Sequence, residues 1–308
     1  MSLAAQVRDD VAACQYSMPG VEFHWIDGEI TLSHPATSQI FQQVLRWLEC
    51  CSHEDDTWAQ RRCGVPSLMI KVDCAVEPDG QQLRGIYEID DSPDGIGIAQ
   101  MVNAPFASRL ARLRRQWPHF RSLALHHRIT DDHLWLEEPL SLETLDKYDG
   151  LLLIRGEPQQ PGMAHLAERS VSTCALQGSK AYGVTLGWWQ PVTAPDQINW
   201  EDEVLILKSP YGRGGWGVHI RCMRGGFEST SGRPQILEAL NRDGLLYRQP
   251  FIVPMACPFF PARLMVLQVF FGFNLRTQQY QYLGGLWVAR RDSLKITIAP
   301  DAIVGPLI

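Results

Sequence analysis

A glycine-rich, positively charged stretch lies between two apolar runs at residues 204–220, with the sequence VLILKSPYGRGGWGVHI. Glycines let a backbone approach phosphate oxygens with its N–H groups free to donate, and a lysine adds a point charge to the same phosphates. The pattern predicts a phosphate-binding flap, although a flexible turn with a solvated lysine and arginine has the same composition. The residues concerned are Lys208, Gly212, Arg213, Gly214, Gly215 and Gly217.

The residues around this stretch exclude the common nucleotide-binding loops. Residues 212–217 satisfy G-x-G-x-x-G, but GVHIRC follows and is typical of a strand, whereas a dinucleotide-binding loop must open a helix. The Gly-Lys-[Ser/Thr] ending of a Walker A loop is absent, as are the His-Arg-Asp and Asp-Phe-Gly motifs of protein kinases. What remains is a hairpin with a lysine on its first strand and a flexible flap at its turn.

Three acidic residues occupy a second predicted hairpin, IKVDCAVEPDGQQLRGIYEID. Asp73 lies on its first strand, and Glu88 and Asp90 lie on its second. Residues two apart on a strand face the same side, so these carboxylates can converge on one cation while Ile89 packs behind them. Mg²⁺ takes carboxylate oxygens, waters and substrate phosphates, so the hairpin predicts a magnesium site. A solvated acidic hairpin is the alternative.

Together with their neighbours, the basic residues resemble the ATP-grasp ligases. That family has one lysine, then a second lysine before a glycine-rich flap, then a strand that carries the adenine hinge. Lys180 and ILKSPYGRGGWGV match the first two features, and LYRQPFI at 246–252 matches the third, with Ser209 in place of the family's proline. The resemblance implies that Lys180, Lys208 and the flap bind the triphosphate. It also implies hinge roles for Gln249, Phe251 and Ile252.

The position of the acids resembles the circularly permuted ATP-grasp arrangement of glutathionylspermidine synthetase and the eukaryotic glutathione synthetases. In that group an Asp…Glu-x-Asn-x-Asp-x-Pro stretch precedes the lysines and the flap, and Asp90 stands here where the group has asparagine. The Glu-x-Asn motif that ordinary ATP-grasp enzymes carry near the C-terminus is absent; only Asp292 and Asp301 are acidic in that tail. The resemblance spans roughly residues 70–308, in short motifs.

The resemblance implies an ATP- and Mg²⁺-dependent carboxylate–amine ligase that works through an acyl phosphate. Its partners would be a small-molecule carboxylate and an amine. Arg263 or Arg290 could stabilise charge on the transferred phosphoryl group, or both could be exposed strand arginines. A non-catalytic relative that binds a nucleotide or a protein partner stays open, as does a phosphotransferase.

The elements that must position these residues mix helices and strands. Helical spacing recurs over 36–51, with Thr37 or Ser38 as cap, over 104–117 and over 233–243. The predicted class is α+β (mixed α/β), with the permuted ATP-grasp arrangement of antiparallel sheets and flanking helices. We expect an N-terminal region with the substrate side and the acidic metal hairpin (1–160), followed by an ATP-grasp small subdomain with the glycine-rich flap (161–250). A C-terminal hairpin (251–308) is expected to complete the nucleotide cleft.

The amino-acid composition limits the classes of partner and the cellular location to expect for this chain. The net charge of -6 argues against a protein that coats nucleic acid, and no apolar run is long enough to span a bilayer. Eight cysteines without a Cys-x-x-Cys pair are typical of a reduced protein, so a cytoplasmic location without a signal peptide is expected.

Overall fold

The computed structural model describes residues 23–51, 64–65, 67–91, 95–117, 120–124, 150–154, 180–210, 217–223, 227, 229–291, 293–296, 298 and 301–308. The strands in these ranges are β1 (His24–Trp25), β2 (Met69–Val76), β3 (Leu83–Asp90), β4 (Phe120–Ala124), β5 (Gly150–Ile154), β6 (Gln190–Val192), β7 (Val204–Lys208), β8 (Val218–Cys222), β9 (Leu246–Gln249), β10 (Met255–Ala256), β11 (Arg263–Asn274), β12 (Gln279–Arg291) and β13 (Ile303–Leu307). The α-helices are α1 (His34–Cys51), α2 (Ile96–Val102), α3 (Ala104–Arg114), α4 (Lys180–Thr185) and α5 (Arg233–Asp243).

A seven-stranded sheet joins the two ends of the chain. Its order is β1-β13-β12-β11-β2-β3, and β10 pairs with β11 beyond the end of β2. All neighbours are antiparallel except β1 and β13. The long β11–β12 hairpin therefore lies beside the acidic β2–β3 hairpin, although 172 residues lie between Asp90 and Arg263 in the sequence.

Strand alternation gives this central sheet one apolar core on each face. On one face α1 packs Ile40, Val44 and Trp47 against the sheet, where Val72 and Trp287 belong to the same core. On the other face α3 packs against the sheet, with Leu110 and Leu113 in the core. On that face the Phe106 and Phe270 ring centroids are 5.2 Å apart. Because each fully buried side chain of this size contributes about 1.5–3 kcal/mol, these two cores fix the sheet.

The second sheet carries the basic hairpin. Its order is β6-β9-β7-β8, with antiparallel pairing throughout. Helix α5 covers it through Ile236 and Leu240, which share a core with Leu205, Leu207 and Leu246. Gly244 ends α5 at φ 68°, the left-handed conformation that glycine adopts readily. Strands β4 and β5 form a separate parallel pair.

Several predictions of structure are confirmed. The α+β class with antiparallel sheets and flanking helices is correct, as are the two predicted hairpins of the central sheet and the α5 helix. The predicted cap of α1 is wrong: the helix begins at His34, and Ser33 Oγ accepts a hydrogen bond from the Ala36 N–H at 3.2 Å. In the described ranges no helix is long and apolar enough to cross a membrane.

The predicted boundaries near 160 and 250 stay predictions, and the first of them lies outside the described residues. Strands from the first and last predicted regions form one sheet, so those two regions share a core. The circularly permuted ATP-grasp arrangement also stays a prediction.

Candidate functional site

The predicted acids line one face of the β2–β3 hairpin. Asp73 is the cross-strand neighbour of Glu88, and Lys71 is the cross-strand neighbour of Asp90. Cross-strand neighbours share a face, as do residues two apart, so all four side chains start from the same side. Ile89 belongs to the core on the opposite side, as the sequence predicts. We call Lys71, Asp73, Glu88 and Asp90 the charged row.

A β-bulge in β3 determines the direction of Glu88. Asp73 pairs with Glu88 but the next residue, Cys74, pairs with Ile86, so Tyr87 is the extra residue in the ladder. Without the bulge, Ile86 and Glu88 would face the same side. The bulge lets Ile86 enter the apolar core while Glu88 stays on the face of Asp73.

The same bulge joins the two sheets. The Tyr87 carbonyl accepts hydrogen bonds from Lys208 Nζ at 2.8 Å and from Gln249 Nε2 at 3.2 Å. Lys208 ends β7 and Gln249 ends β9, so both strands of the second sheet contribute to the contact. We call Tyr87, Lys208 and Gln249 the sheet junction. It brings the predicted nucleotide lysine next to the predicted metal acids.

Lys208 is a buried cation with several partners. Its residue is 6% exposed, and its Nζ lies 5.0 Å from the centroid of the Trp189 ring. Burial lowers the pKa of Lys208, and the carboxylates of Glu88 and Asp73 offset part of this effect. The two carboxylates thus favour the charged form of the Lys208 side chain.

The predicted hinge residues follow the sheet junction. Phe251 and Ile252 come after β9 and are half-buried. The Ile252 carbonyl accepts a hydrogen bond from the Tyr87 hydroxyl at 3.4 Å, and a Cβ added to Gly85 would come within 2.8 Å of Ile252 Cδ1. The segment after β9 therefore packs directly on β3.

The flap is described only at its ends. Gly217 has φ +69°, and its carbonyl accepts a 2.7 Å hydrogen bond from the Ser209 N–H, which closes the base of the hairpin. Ser209 Oγ also donates to Asp243 at 2.6 Å, and this ties the hairpin to the end of α5. Predicted flap residues outside the described ranges are Gly212, Arg213, Gly214 and Gly215. Lys180 begins α4, and its side chain also lies outside what is described.

The two predicted arginines are separated from the charged row. Arg290 is on the same face of the sheet as Gln268. The residue of β12 opposite Gln268 is Leu286, and Arg290 lies four residues further along that strand, about 13 Å away at ~3.3 Å per residue. Its Nη2 lies 2.9 Å from Asp301 Oδ1. Arg263 pairs with Arg291 on the opposite face, and its Nη1 donates to the Asp301 carbonyl at 2.5 Å. The structure brings neither arginine to the sheet junction.

Sequence reasoning missed two polar side chains beside the acids. Lys71 is 5% exposed, and its Nζ lies 3.9 Å from Asp73 Oδ1. Gln268 on β11 is the cross-strand neighbour of Asp73 on the other side and is 7% exposed. The signal was present, because each is a polar residue inside a strand that is otherwise largely apolar.

Gln268 also carries an unsatisfied oxygen. Its Oε1 is buried without a hydrogen-bond partner among the described residues. Gly95, at φ +81°, passes so close that an added Cβ would lie 3.3 Å from this oxygen. Since buried amide oxygens are nearly always paired, this oxygen could accept a hydrogen bond or bind a cation next to Asp73.

The three predicted metal ligands do not converge as a group. Within the described residues, no set of three or more His, Cys, Asp or Glu side chains is arranged to hold a metal ion. Asp73 and Glu88 are direct neighbours, whereas Asp90 lies opposite Lys71. Of the predicted ligands, Asp73 and Glu88 are therefore the two that lie side by side, and Gln268 is the neighbour of Asp73 on β11.

Comparisons with known proteins give one structural neighbour to report. No family model and no curated protein matches this chain. Among solved structures, the chain is similar to a glutathione synthetase-like effector from Globodera pallida in its apo form, with a TM-score of 0.45 and 9% identity. The match covers 100% of this chain and 98% of that one.

Proposed function

We propose that this chain binds ATP with Mg²⁺ at the sheet junction and uses it to join a carboxylate to an amine. The observation that supports this proposal is the contact at Tyr87, where Lys208 and Gln249 of one sheet reach the carbonyl just before Glu88 in the other. The basic hairpin and the acids are then parts of one site. The basic hairpin and the acids lie far apart in the sequence, but the pairing of strands is compatible with one shared site.

The donor set fits magnesium. Mg²⁺ is commonly bound by one or two carboxylates, with substrate phosphates and waters as the other ligands. Asp73 and Glu88 would hold it, and the unsatisfied Gln268 oxygen adds a neutral donor beside Asp73. When bound, the ion would neutralise charge on the phosphate oxygens. Asp90 is less suited because it lies opposite the Lys71 ammonium.

The chain's own residues would bind and orient. A lysine ammonium has three N–H donors. Lys208 uses one of them in its hydrogen bond to the Tyr87 carbonyl, so the Lys208 ammonium could also interact with a phosphate. The substrate carboxylate would attack the γ-phosphoryl group and release ADP, which leaves an acyl phosphate. The amine would then attack the acyl carbon of that intermediate, displace phosphate and lose its proton to the departing phosphate or to water. Positioning and charge neutralisation supply most of the barrier reduction in such transfers, so no acid–base side chain is required.

The first test is nucleotide binding. With Mg²⁺ and a non-hydrolysable ATP analogue at 100 times its Kd, the wild type should gain about 2.7 kcal/mol, or roughly 5 °C in Tm. Glu88→Gln should lose most of that shift. Glu77→Gln is the matched control, because Glu77 lies just after β2 and pairs with Arg84 away from the charged row. Equal Tm shifts in Glu88→Gln and Glu77→Gln would mean that Glu88 takes no part in binding the nucleotide with its metal ion.

The second test is turnover. ADP release should require both a carboxylate and an amine, supplied as panels of amino acids, dipeptides and polyamines. A non-catalytic nucleotide-binding protein is the competing function, and the Lys71 ammonium within the charged row favours it because it reduces the charge available to metal ions. Nucleotide binding without ADP release under any pairing would select that function.

A further inference from the structure

Trp189 lies beside Lys208, and the proposed function gives it no role. Trp189 is 5% exposed, and the Lys208 Nζ lies 5.0 Å from the centroid of its ring. Tyr247 is the cross-strand neighbour of Lys208, and its ring centroid is 6.2 Å from that of Trp189. Cross-strand neighbours share a face of a sheet. Trp189 therefore packs on the face of the second sheet from which Lys208 reaches the sheet junction.

The indole N–H of Trp189 is a buried donor without an acceptor. No hydrogen-bond partner for its Nε1 is found within the part of the chain that the structure describes. The buried Trp287 shows the usual arrangement, because its Nε1 donates to the Gly28 carbonyl at 2.8 Å. Indole nitrogen can only donate, and a buried donor left unpaired lowers stability. The Trp189 N–H is therefore available for an acceptor atom of a ligand.

Helix α4 holds the indole in place through the end remote from this N–H. The Trp188 and Trp189 backbone N–H groups both donate to the Gly183 carbonyl, at 2.8 Å and 3.1 Å. A Cβ added to Gly183 would come within 2.6 Å of Trp189 Cε3, so the helix backbone packs directly on the ring. Cε3 belongs to the six-membered ring of the indole, whereas Nε1 belongs to the five-membered ring. The contact with α4 thus fixes the orientation of the N–H without pairing it.

We propose that the Trp189 N–H donates a hydrogen bond to a phosphate oxygen of the nucleotide, next to the Lys208 ammonium. The bound atom has to be an acceptor, because the indole nitrogen offers only a donor. The neighbouring ammonium favours an acceptor that carries negative charge. The triphosphate meets both conditions, whereas the base and the ribose are uncharged. This inference rests on the proposed function and adds Trp189 to its phosphate-binding residues.

Calorimetry on the full chain tests the assignment without measuring turnover. Trp189→Phe keeps an aromatic ring beside Lys208 but removes the N–H. Its affinity for a non-hydrolysable ATP analogue with Mg²⁺ should fall about tenfold to a hundredfold, since one hydrogen bond to a charged group is lost. Trp188→Phe is the matched control, because Trp188 packs against a core of the central sheet, and it should bind as the wild type does.

Nuclear magnetic resonance observes the same N–H directly. In a ¹H–¹⁵N spectrum of the chain labelled at tryptophan, the indole signal that disappears in Trp189→Phe belongs to Trp189. Inorganic tripolyphosphate with Mg²⁺ contains no base or ribose and should still move this signal downfield in the wild type. If Trp189→Phe fails to fold, the signal is assigned instead from its nuclear Overhauser contacts with Gly183, which packs on the same ring.

The outcomes separate the two proposals. Equal affinities of the wild type and Trp189→Phe for the ATP analogue would overturn the role of Trp189 and leave the nucleotide site intact. A Trp189 signal that stays in place with tripolyphosphate would do the same, as would an equal loss of affinity in Trp188→Phe. No binding of the ATP analogue to the wild type would overturn the proposed function and this inference together.

Discussion

Two buried lysines determine the electrostatics of the site at the scale of single residues. Lys71 belongs to the charged row, and Lys208 reaches the same acids from the second sheet. Lysine is rarely buried without carboxylate partners, so two such residues beside the same acids indicate a site built for charge. In the sequence, the glycine-rich neighbours of Lys208 indicate a functional lysine. Lys71 has no such neighbours, and Asp73 is the only nearby residue that points to a charged site.

The pH dependence of stability should report the burial of Lys208. Its pKa in the folded protein lies below the ordinary value of 10.5 because burial disfavours the charged form. Between the folded pKa and 10.5 the unfolded chain binds more protons at this position, so the free energy of unfolding rises with pH through that interval. Lys208→Met lacks this contribution.

Urea unfolding of both proteins at pH 7 and pH 10 measures the effect. The free energy of unfolding of the wild type minus that of Lys208→Met should be larger at pH 10. Other groups that titrate over the same range cancel in the subtraction. A difference that stays flat or falls would mean that Lys208 keeps an ordinary or raised pKa in the folded chain.

At the scale of elements, the pairing of strands carries the site. The sequence predicted β2 and β3 well, because turn residues separate two apolar runs, and it predicted the long C-terminal hairpin for the same reason. It did not predict the bulge at Tyr87, because the one residue in LRGIYEID that signals an irregular ladder is Gly85, two positions before it. The helix start at Ser33 was missed because the apolar periodicity begins only after it.

Gly285 should be the least replaceable glycine in the central sheet. A Cβ at this position would lie 1.9 Å from the Gln268 carbonyl oxygen, which is backbone and cannot move aside without separating β11 from β12. Gly285→Ala should therefore lower the free energy of unfolding by about 3 kcal/mol or more.

Gly272→Ala is the matched comparison in the same hairpin. Its added Cβ would meet Leu113 Cδ1 at 2.4 Å, but that atom ends a side chain that can change rotamer. Its loss should be smaller, within about 1–3 kcal/mol. Denaturant midpoints of the two variants measure the difference, and an equal or larger loss for Gly272→Ala would contradict the register of β11 and β12 next to Gln268.

At the scale of the whole molecule, the first and last parts of the chain form the central sheet, and the middle part contributes the second sheet. Local patterns cannot reveal this assembly, because the contacts between β2 and β11 depend on residues almost 200 positions apart. The sequence nevertheless placed Lys208 and the acids in one site, through a resemblance in motif order. The junction at Tyr87 is where hydrogen bonds join the two sheets.

Hydrogen exchange should show that response. If a nucleotide binds at the sheet junction, Mg²⁺ with a non-hydrolysable ATP analogue will slow amide exchange in β3 and in β7 and β9 at the same time, because the contacts from Lys208 and Gln249 to the Tyr87 carbonyl become harder to open. The β12–β13 pair lies on the far side of β11 from β2 and β3 and serves as the internal reference, with little change expected. Lys208→Met should remove the protection from both sheets. Protection confined to β7 and β9 would place the nucleotide on the second sheet alone, and the acids of β3 would then have no part in binding it.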